Sequence, residues 1–271
     1  MTSKRGALAA VIIALWAAGV FMMRNRNANT SETQRLAEVA LRLQPATFYY
    51  IIERDGKPIG AASSAVDTTS KTLVSEEYFV GDFPPPGGKP DERTSARWQT
   101  RLSRAFRLSG LTMDVARPTR PFTISASVEE DTTLIIGTKR PVGPRPARYT
   151  FTRPLFTPTL APIAFMLGGS HEIGRKQKMS MLDPTTRLVI RPELTIRAES
   201  LFKVVDSASL EPSGTWIAAH RDTVRAWRIE GAPHGVSAWV DSEGRIVAAS
   251  AGSFSATRTA FEIAFKNPQT K

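Results

Sequence analysis

FYYIIERDGKPIGAASSAV, Phe48 to Val66, sets two runs rich in aromatic, β-branched and small residues on either side of Asp55-Gly56. Asp-Gly suits a type I′ turn, because both central residues of that turn must accept positive φ. The stretch therefore predicts a hairpin, Phe48 to Arg54 against Lys57 to Val66.

The same signals recur outward from this ribbon. Candidate strands are Thr72 to Asp82, Ala96 to Leu108, Leu111 to Ala116, Phe122 to Glu129, Thr132 to Thr138 and Arg148 to Thr152. A second set is Lys176 to Leu182, Thr186 to Phe202, Thr215 to His220, Val224 to Glu230, Val236 to Asp241, Ile246 to Ala251 and Ala256 to Lys266. Short connections make sequential antiparallel pairing the expected topology. No long helical alternation interrupts the strands, which argues against a parallel βαβ fold. Residues 96–108 admit two readings. As a strand, Trp98, Thr100, Leu102, Phe106 and Leu108 share a face; as a helix, Trp98, Leu102, Ala105 and Phe106 share a stripe. The flanking strands favour strand.

Two stretches break the pattern. Phe83 to Glu92, FPPPGGKPDE, has too many prolines and glycines for ladder pairing and reads as an exposed loop. Arg140 to Gly169 carries prolines at 141, 144, 146, 154, 158 and 162, with Leu160 to Leu167 able to form a helical turn or two. This crossover is too apolar for a free linker, and marks the expected boundary between two halves of the sheet.

At 271 residues and 41% hydrophobic content the chain can bury a large core. Its net charge of +11 would suit anionic lipid, an acidic protein or nucleic acid, without choosing among them. There is no cysteine, which excludes disulfides, thiolate metal sites, a thiol nucleophile and a lipobox-type anchor.

Gly6 to Met23, GALAAVIIALWAAGVFMM, is uncharged and flanked by Lys4-Arg5 and by Arg24 and Arg26. As a helix it would span about 27 Å, near the thickness of the bilayer hydrocarbon. An uncleaved anchor is the favoured reading. A cleaved signal would have to use Ala17-Ala18-Gly19, after which Phe21-Met22-Met23 continues the apolar run; a buried soluble helix is the third reading. The expected placement is single-pass in the inner membrane, N-terminus cytoplasmic and main domain periplasmic. Small residues at Ala10, Ala14, Ala17 and Ala18, beside Trp16, would let the anchor pack closely on other membrane helices. Beyond it, Ser31 and Gln34 fit a capping box, and Leu36, Val39, Ala40 and Leu43 follow at helical spacing. The expected organisation is thus an anchor and linker over 1–29, a juxtamembrane helix over 30–45 and a β-domain over 46–271. The fold class is mainly β: a transmembrane helix, a short amphipathic helix, and a large curved antiparallel sheet or half-barrel.

Chemistry is sparsely signalled. His171, His220 and His234 form no pair at metal-ligand spacing, and no carboxylate cluster adjoins them in sequence. His220 and Asp222 would share a strand face, and would centre any cleft if the protein were an enzyme. GGSHEIG, Gly168 to Gly174, lacks the spacing of a nucleophile elbow. Glu76 and Glu77 are adjacent on a strand and so point to opposite faces. No catalytic, cofactor-binding or metal-binding residue is expected. Arg97, Arg101 and Arg107 lie in the densest basic run and mark a polar face for anionic lipid or an acidic partner. Trp216, Trp227 and Trp239 on neighbouring strands read as core, or else as an apolar groove. With an anchor and no aromatic stacking platform, nucleic acid is not an expected partner.

FYYIIERDGKPIGAASSAVDTT, RLSRAFRL, PLFTPTLAPIAFML and AWVDSEGRIVAAS together resemble the β-rich region that precedes transglutaminase-like cores in some bacterial membrane-anchored envelope proteins. The resemblance spans Arg35 to Lys266 and rests on strand and turn patterns. It implies a noncatalytic β-module with a curved sheet around an apolar face. The family's papain-like core uses Cys, His and Asp; with no cysteine here, no catalytic residue carries over.

The expectation is therefore an accessory or structural subunit without cofactor. It would stabilise a larger inner-membrane complex through integral membrane subunits and the bilayer, as single-span subunits do in photosynthetic reaction centre and light-harvesting assemblies. The alternative is a periplasmic module that binds a lipid or lipoprotein.

Overall fold

The computed structural model describes residues 43–69, 72–83, 91–118, 121–130, 133–139, 146–151, 154–183, 188–232 and 235–267, together with 34, 36–38, 40, 41 and 186. The apolar segment Gly6 to Met23, with Ala10, Ala14, Trp16, Ala17 and Ala18, lies outside them. Among the described residues no helix is long and apolar enough to cross a membrane.

One antiparallel sheet dominates. Its first half is a meander of β1 (Ala46–Arg54), β2 (Lys57–Thr68), β3 (Thr72–Phe83), β4 (Glu92–Ser103), β5 (Leu108–Ala116), β6 (Phe122–Glu129), β7 (Thr133–Lys139) and β8 (Ala147–Thr150). Its second half comprises β10 (Lys176–Lys178), β13 (Glu193–Leu210), β14 (Trp216–Glu230), β15 (Ser237–Val240), β16 (Ile246–Ala251) and β17 (Phe254–Thr259). The halves join where β17 pairs with β1, giving 14 strands in the order β10-β13-β14-β15-β16-β17-β1-β2-β3-β4-β5-β6-β7-β8. The predicted hairpin is present: Asp55 and Gly56 have φ of 50° and 74°, and Arg54 opposes Lys57.

The Pro-rich crossover does not hang between the halves. It enters the interior as β9 (Leu155–Phe156) and a helix, α2 (Leu160–Leu167), the latter following helical residues among 34–41 that we label α1. Seven of the eight α2 residues are buried, and the helix has no acidic residue in its first turn and no basic residue in its last, where Arg175 donates to the Phe165 carbonyl at 2.7 Å. One core cluster unites α2 with Leu36 and Ala40 from α1, Leu43 just beyond it, Val66, Leu73 and Leu102 from β2 to β4, and Ile196, Ile229 and Val240 from β13 to β15. A flat sheet could not bring those strands to one helix, so the sheet curls around α2. Each fully buried Leu, Ile, Phe or Met there contributes roughly 1.5–3 kcal/mol. A second cluster covers β4 to β7 with Phe151, Leu155 and Leu182. It rests on a small sheet of β9, β11 (Ser180–Asp183) and β12 (Leu188–Ile190), in which β9 and β11 run parallel, against the expectation of antiparallel pairing throughout.

Outside, the sheet overlaps itself. Only Trp227–Ile229 of β14 pair with β15, so the rest of the β13–β14 ribbon extends past the sheet. Bulges at Ile196/Ala198 and Val205/Ser207 bend it, as extra residues on one strand do. Phe202 then packs on Trp239 at 5.1 Å, and Val204 and Ala226 on Val247, all on the face opposite α2. Farther along, Asn267 bonds both backbone groups of Trp216.

Several expected boundaries move. Residues 96–108 are not one strand: β4 ends at Ser103, Phe106 turns the chain at φ 55° with its ring fully buried, and β5 begins at Leu108. Arg107 therefore leaves the strand that holds Arg97 and Arg101. Thr186 to Phe202 is broken at Arg191-Pro192 into β12 and β13, which lie in different sheets. Thr215 to His220 and Val224 to Glu230 merge into β14. Ala256 to Lys266 is a strand only to Thr259, after which α3 (Phe261–Phe265) packs Phe261 and Phe265 on Tyr49. Aromatic residues four apart can face one support from a helix turn, which an extended strand also permits; the sequence pattern alone does not separate the two.

Gly244 is the tightest point of the α2 seat. It has φ 80°, and a Cβ there would lie 2.5 Å from the Ile163 backbone. Gly56, at φ 74°, faces open space. Gly244→Ala should cost more than about 2 kcal/mol, since strain and a backbone clash combine, against about 1 kcal/mol for Gly56→Ala. Urea unfolding midpoints of the two variants check the ranking.

Candidate functional site

Strand alternation sorts the inner wall into tiers. On β1 the inward residues are Phe48, Tyr50 and Ile52; across from them stand Ser64, Ala62 and Gly60 on β2, then Glu77, Phe79 and Gly81 on β3. On the other side β17 sets Arg258 beside Tyr50 and Ala256 beside Ile52. The tier nearest α2 is polar, and the tier beyond it is apolar.

The polar tier is buried and closely partnered. Arg258 donates to Asp241 Oδ2 at 3.0 Å, to the Ile246 carbonyl at 2.8 Å and to the Arg245 carbonyl at 3.0 Å, and covers the Phe48 ring at 4.0 Å. The other oxygen of Asp241 accepts from the Arg245 and Glu243 amides. Arg245 pairs with Glu243 at 2.8 Å and donates to the Gln44 carbonyl, tying the chain between α1 and β1 to the same turn. Tyr50 donates to the Ile246 carbonyl at 3.2 Å, and burial holds its hydroxyl protonated far above the ordinary range. Burial also pushes the Glu77 carboxyl up to about 7, against the pull of hydrogen bonds from Ser75, Ser64 and Thr159. A cavity of about 20 Å³ lies between this tier and Ile163 of α2.

The apolar tier is a groove of about 370 Å³, open to solvent as the described residues form it. Ile52, Phe79, Phe83, Ala249, Phe254 and Ala256 line it, with Val236 at one side. Gly60 and Gly81 face each other across β2 and β3, and a Cβ on either would strike the other's strand. Their missing side chains let β2 and β3 pass closely beside the groove. Its volume falls within the range of small-ligand sites, roughly 300–1,000 Å³.

Residues singled out from the sequence fall elsewhere. Glu76 and Glu77 do diverge: Glu76 meets Arg97 at 2.6 Å outside, and Glu77 is buried inside. The basic run is dispersed, since Arg101 bonds Gln99 at 3.2 Å and Arg104 bonds the carbonyls of Ala40 and Thr69. Arg107 stands past the turn, its amide 3.3 Å from Ser103 Oγ. The three tryptophans have three surroundings: Trp227 in the core against His171, Trp239 under Phe202, and Trp216 beneath Lys266. They line no common groove. His220 is exposed on the ribbon rather than in a cleft. Its Nδ1 lies 2.9 Å from Asp206 and 4.0 Å from Asp222. Asp206 is the partner that sequence reading missed, because the bulge opposite His220 cannot be located without the register. The hydrogen bond from His220 lowers the Asp206 carboxyl, and Asp206 raises the imidazole. Ligand atoms of all three lie within 4.8 Å of one another, yet every member is exposed.

No protein-family model matches the chain, and no curated protein does. Among solved structures, a β-barrel-like protein of domain of unknown function DUF1849 from Brucella abortus is similar over 80% of this chain and 95% of its own, at 13% identity and a TM-score of 0.52. A DUF1089 family protein from Pseudomonas aeruginosa aligns over 70% of this chain and 89% of its own, at 8% identity and a TM-score of 0.39. The first likeness is one of fold.

Asp206→Asn should return the His220 imidazole toward its ordinary value, because the hydrogen-bonded carboxylate is the main cause of its rise. Proton NMR titration of the ring should then show a lower midpoint, with a smaller drop in Asp222→Asn.

Proposed function

We propose that this chain is a noncatalytic binding module whose groove takes a hydrocarbon chain, the acyl tail of a lipid or lipoprotein. The carrying observation is the makeup of the groove between Ile52 and Phe254. Its strands β1, β3, β16 and β17 are each paired on both sides, so their backbone groups are engaged in the sheet. A bound peptide would bury its own amides and carbonyls against apolar side chains without partners, at a cost of roughly 1–3 kcal/mol for each group. An acyl tail has no such groups and gains from every methylene it buries. The buried polar residues nearby are committed to one another, which favours a structural role for them over acid–base chemistry on a substrate.

The reading as an accessory subunit of an inner-membrane complex rests on the anchor face Ala10, Ala14, Ala17 and Ala18, outside the described residues. The groove instead favours the second expectation. An anchored periplasmic placement would hold such a groove beside the bilayer, within reach of lipid tails.

A fluorescent long-chain fatty acid should bind saturably to the purified protein. Ala256→Trp, which fills the groove from its half-buried wall, should weaken it by at least about tenfold, or about 1.4 kcal/mol. Equal binding by both proteins would overturn the proposal. Mass spectrometry of what copurifies distinguishes free lipids from acylated peptides as the source of the tail.

A further inference from the structure

We infer that Glu77 is a pH-sensitive latch between the inner wall and α2, at the inner end of the groove. Its bearing on ligand binding rests on the groove reading above; the latch itself does not. Glu77 is 4% exposed, and its carboxyl stands where β3 passes the start of α2. Three hydroxyls address it: Ser75 from its own strand at 2.9 Å, Ser64 from the strand alongside, and Thr159 from the residue that precedes α2. Thr159 connects the carboxyl directly to the helix, so the state of the one bears on the seat of the other.

The groups facing Glu77 determine what ionisation does. From β1 comes Tyr50, protonated and bonded to the Ile246 carbonyl. From β17 comes Arg258, committed to Asp241; from the β15–β16 turn, Arg245 is committed to Glu243. From β4, Trp98 stands directly opposite, with an indole Nε1 that has no hydrogen-bond partner. Among the described residues no cation is thus left to neutralise a carboxylate at this position, and Asp241 adds negative charge to the same tier. A neutral Glu77 sits comfortably among hydroxyls and aromatic rings. An ionised one is better solvated when the α2 end lifts and water enters.

The sign follows from linkage. The folded carboxyl titrates about 7, above its ordinary 4.5, so the seated state holds the proton more tightly than an open state does. The seat is firmest below the ordinary value and weakens as pH rises through about 7. The side of the groove occupied by Phe79, two residues along β3 on the same face, would loosen with it.

Hydrogen exchange of the α2 amides in the full-length protein tests this, with rates corrected for the intrinsic dependence on pH. Opening of the Leu160–Leu167 segment should become about tenfold more frequent between pH 6 and pH 8.5 in the wild type. It should stay flat in Glu77→Gln, which keeps the shape and hydrogen bonds without the charge. Parallel behaviour of the two proteins, or a flat wild type, would overturn the latch. If Glu77→Gln fails to fold, Glu77→Met serves instead: it removes the ionisable group from the same buried position, and α2 opening should then be equal at both pH values. A latch confirmed in protein that binds no fatty acid would refute only the groove reading. Fatty-acid binding with pH-flat α2 exchange would refute only the latch.

Discussion

The main core of the described residues is arranged around burying α2. A single antiparallel sheet has two faces, and hairpin connections supply nothing to cover the inner one. Here the cover comes from the crossover between β8 and β10, which carries Leu160, Ile163, Phe165 and Met166 into the curl of the sheet. Those residues share one cluster with strands on both sides of the β17–β1 seam, from β2 to β4 and from β13 to β15. The plug therefore fixes the curvature as well as filling the interior, and Gly244 shows how close the fit is: its turn passes against the Ile163 backbone with no room for a methyl group.

The second constraint is the pairing of β17 with β1. It joins residues about two hundred positions apart, Tyr50 with Arg258 and Ile52 with Ala256, into neighbouring rungs. Such pairing closes a very long loop before any reward from it accrues. The Asp241, Arg258 and Arg245 network spans the same seam. A buried ion pair contributes little net stability, but an unpartnered guanidinium here would be costly, which penalises any other register of β17 on β1.

Much of this was legible. Asp55-Gly56 named the first hairpin, alternation named most strands, and the prolines of 140–169 named a crossover. The parts that were not legible depend on partners distant in sequence. Val205 to Ser207 looks like ordinary strand, and only the register against β14 reveals the bulge that sets Asp206 beside His220. Phe261 and Phe265 look like strand residues, and become a helix because Tyr49 offers an aromatic bed on the outer face. Alternation did place Glu77 opposite to Glu76, yet it could not say which of the two faced inward, since neither neighbour is strongly apolar. The groove was likewise invisible: Ile52, Phe79 and Ala256 are far apart in sequence, and only the pairing of β1 with β17 and, through β2, with β3 brings them to one wall.

The order of the tiers along the inner wall has a physical logic. Under α2 the wall is apolar and closely packed, and beyond the polar tier it is apolar and open. Placing Tyr50, Glu77 and Arg258 between the two leaves them joined only through this layer, because side chains that satisfy their own hydrogen bonds hold a fixed geometry for as long as Glu77 keeps its proton. Without that layer the groove would be continuous with the core, and α2 could slide along a uniformly apolar wall at little cost. The hydrogen bond from Thr159 to Glu77 gives the plug one seat, while the Ile246 carbonyl, accepting from Tyr50 and Arg258, holds the layer itself in place. The groove can then remain unfilled by the chain's own described side chains while the plug beside it stays in place, which is the arrangement an exchangeable apolar ligand requires.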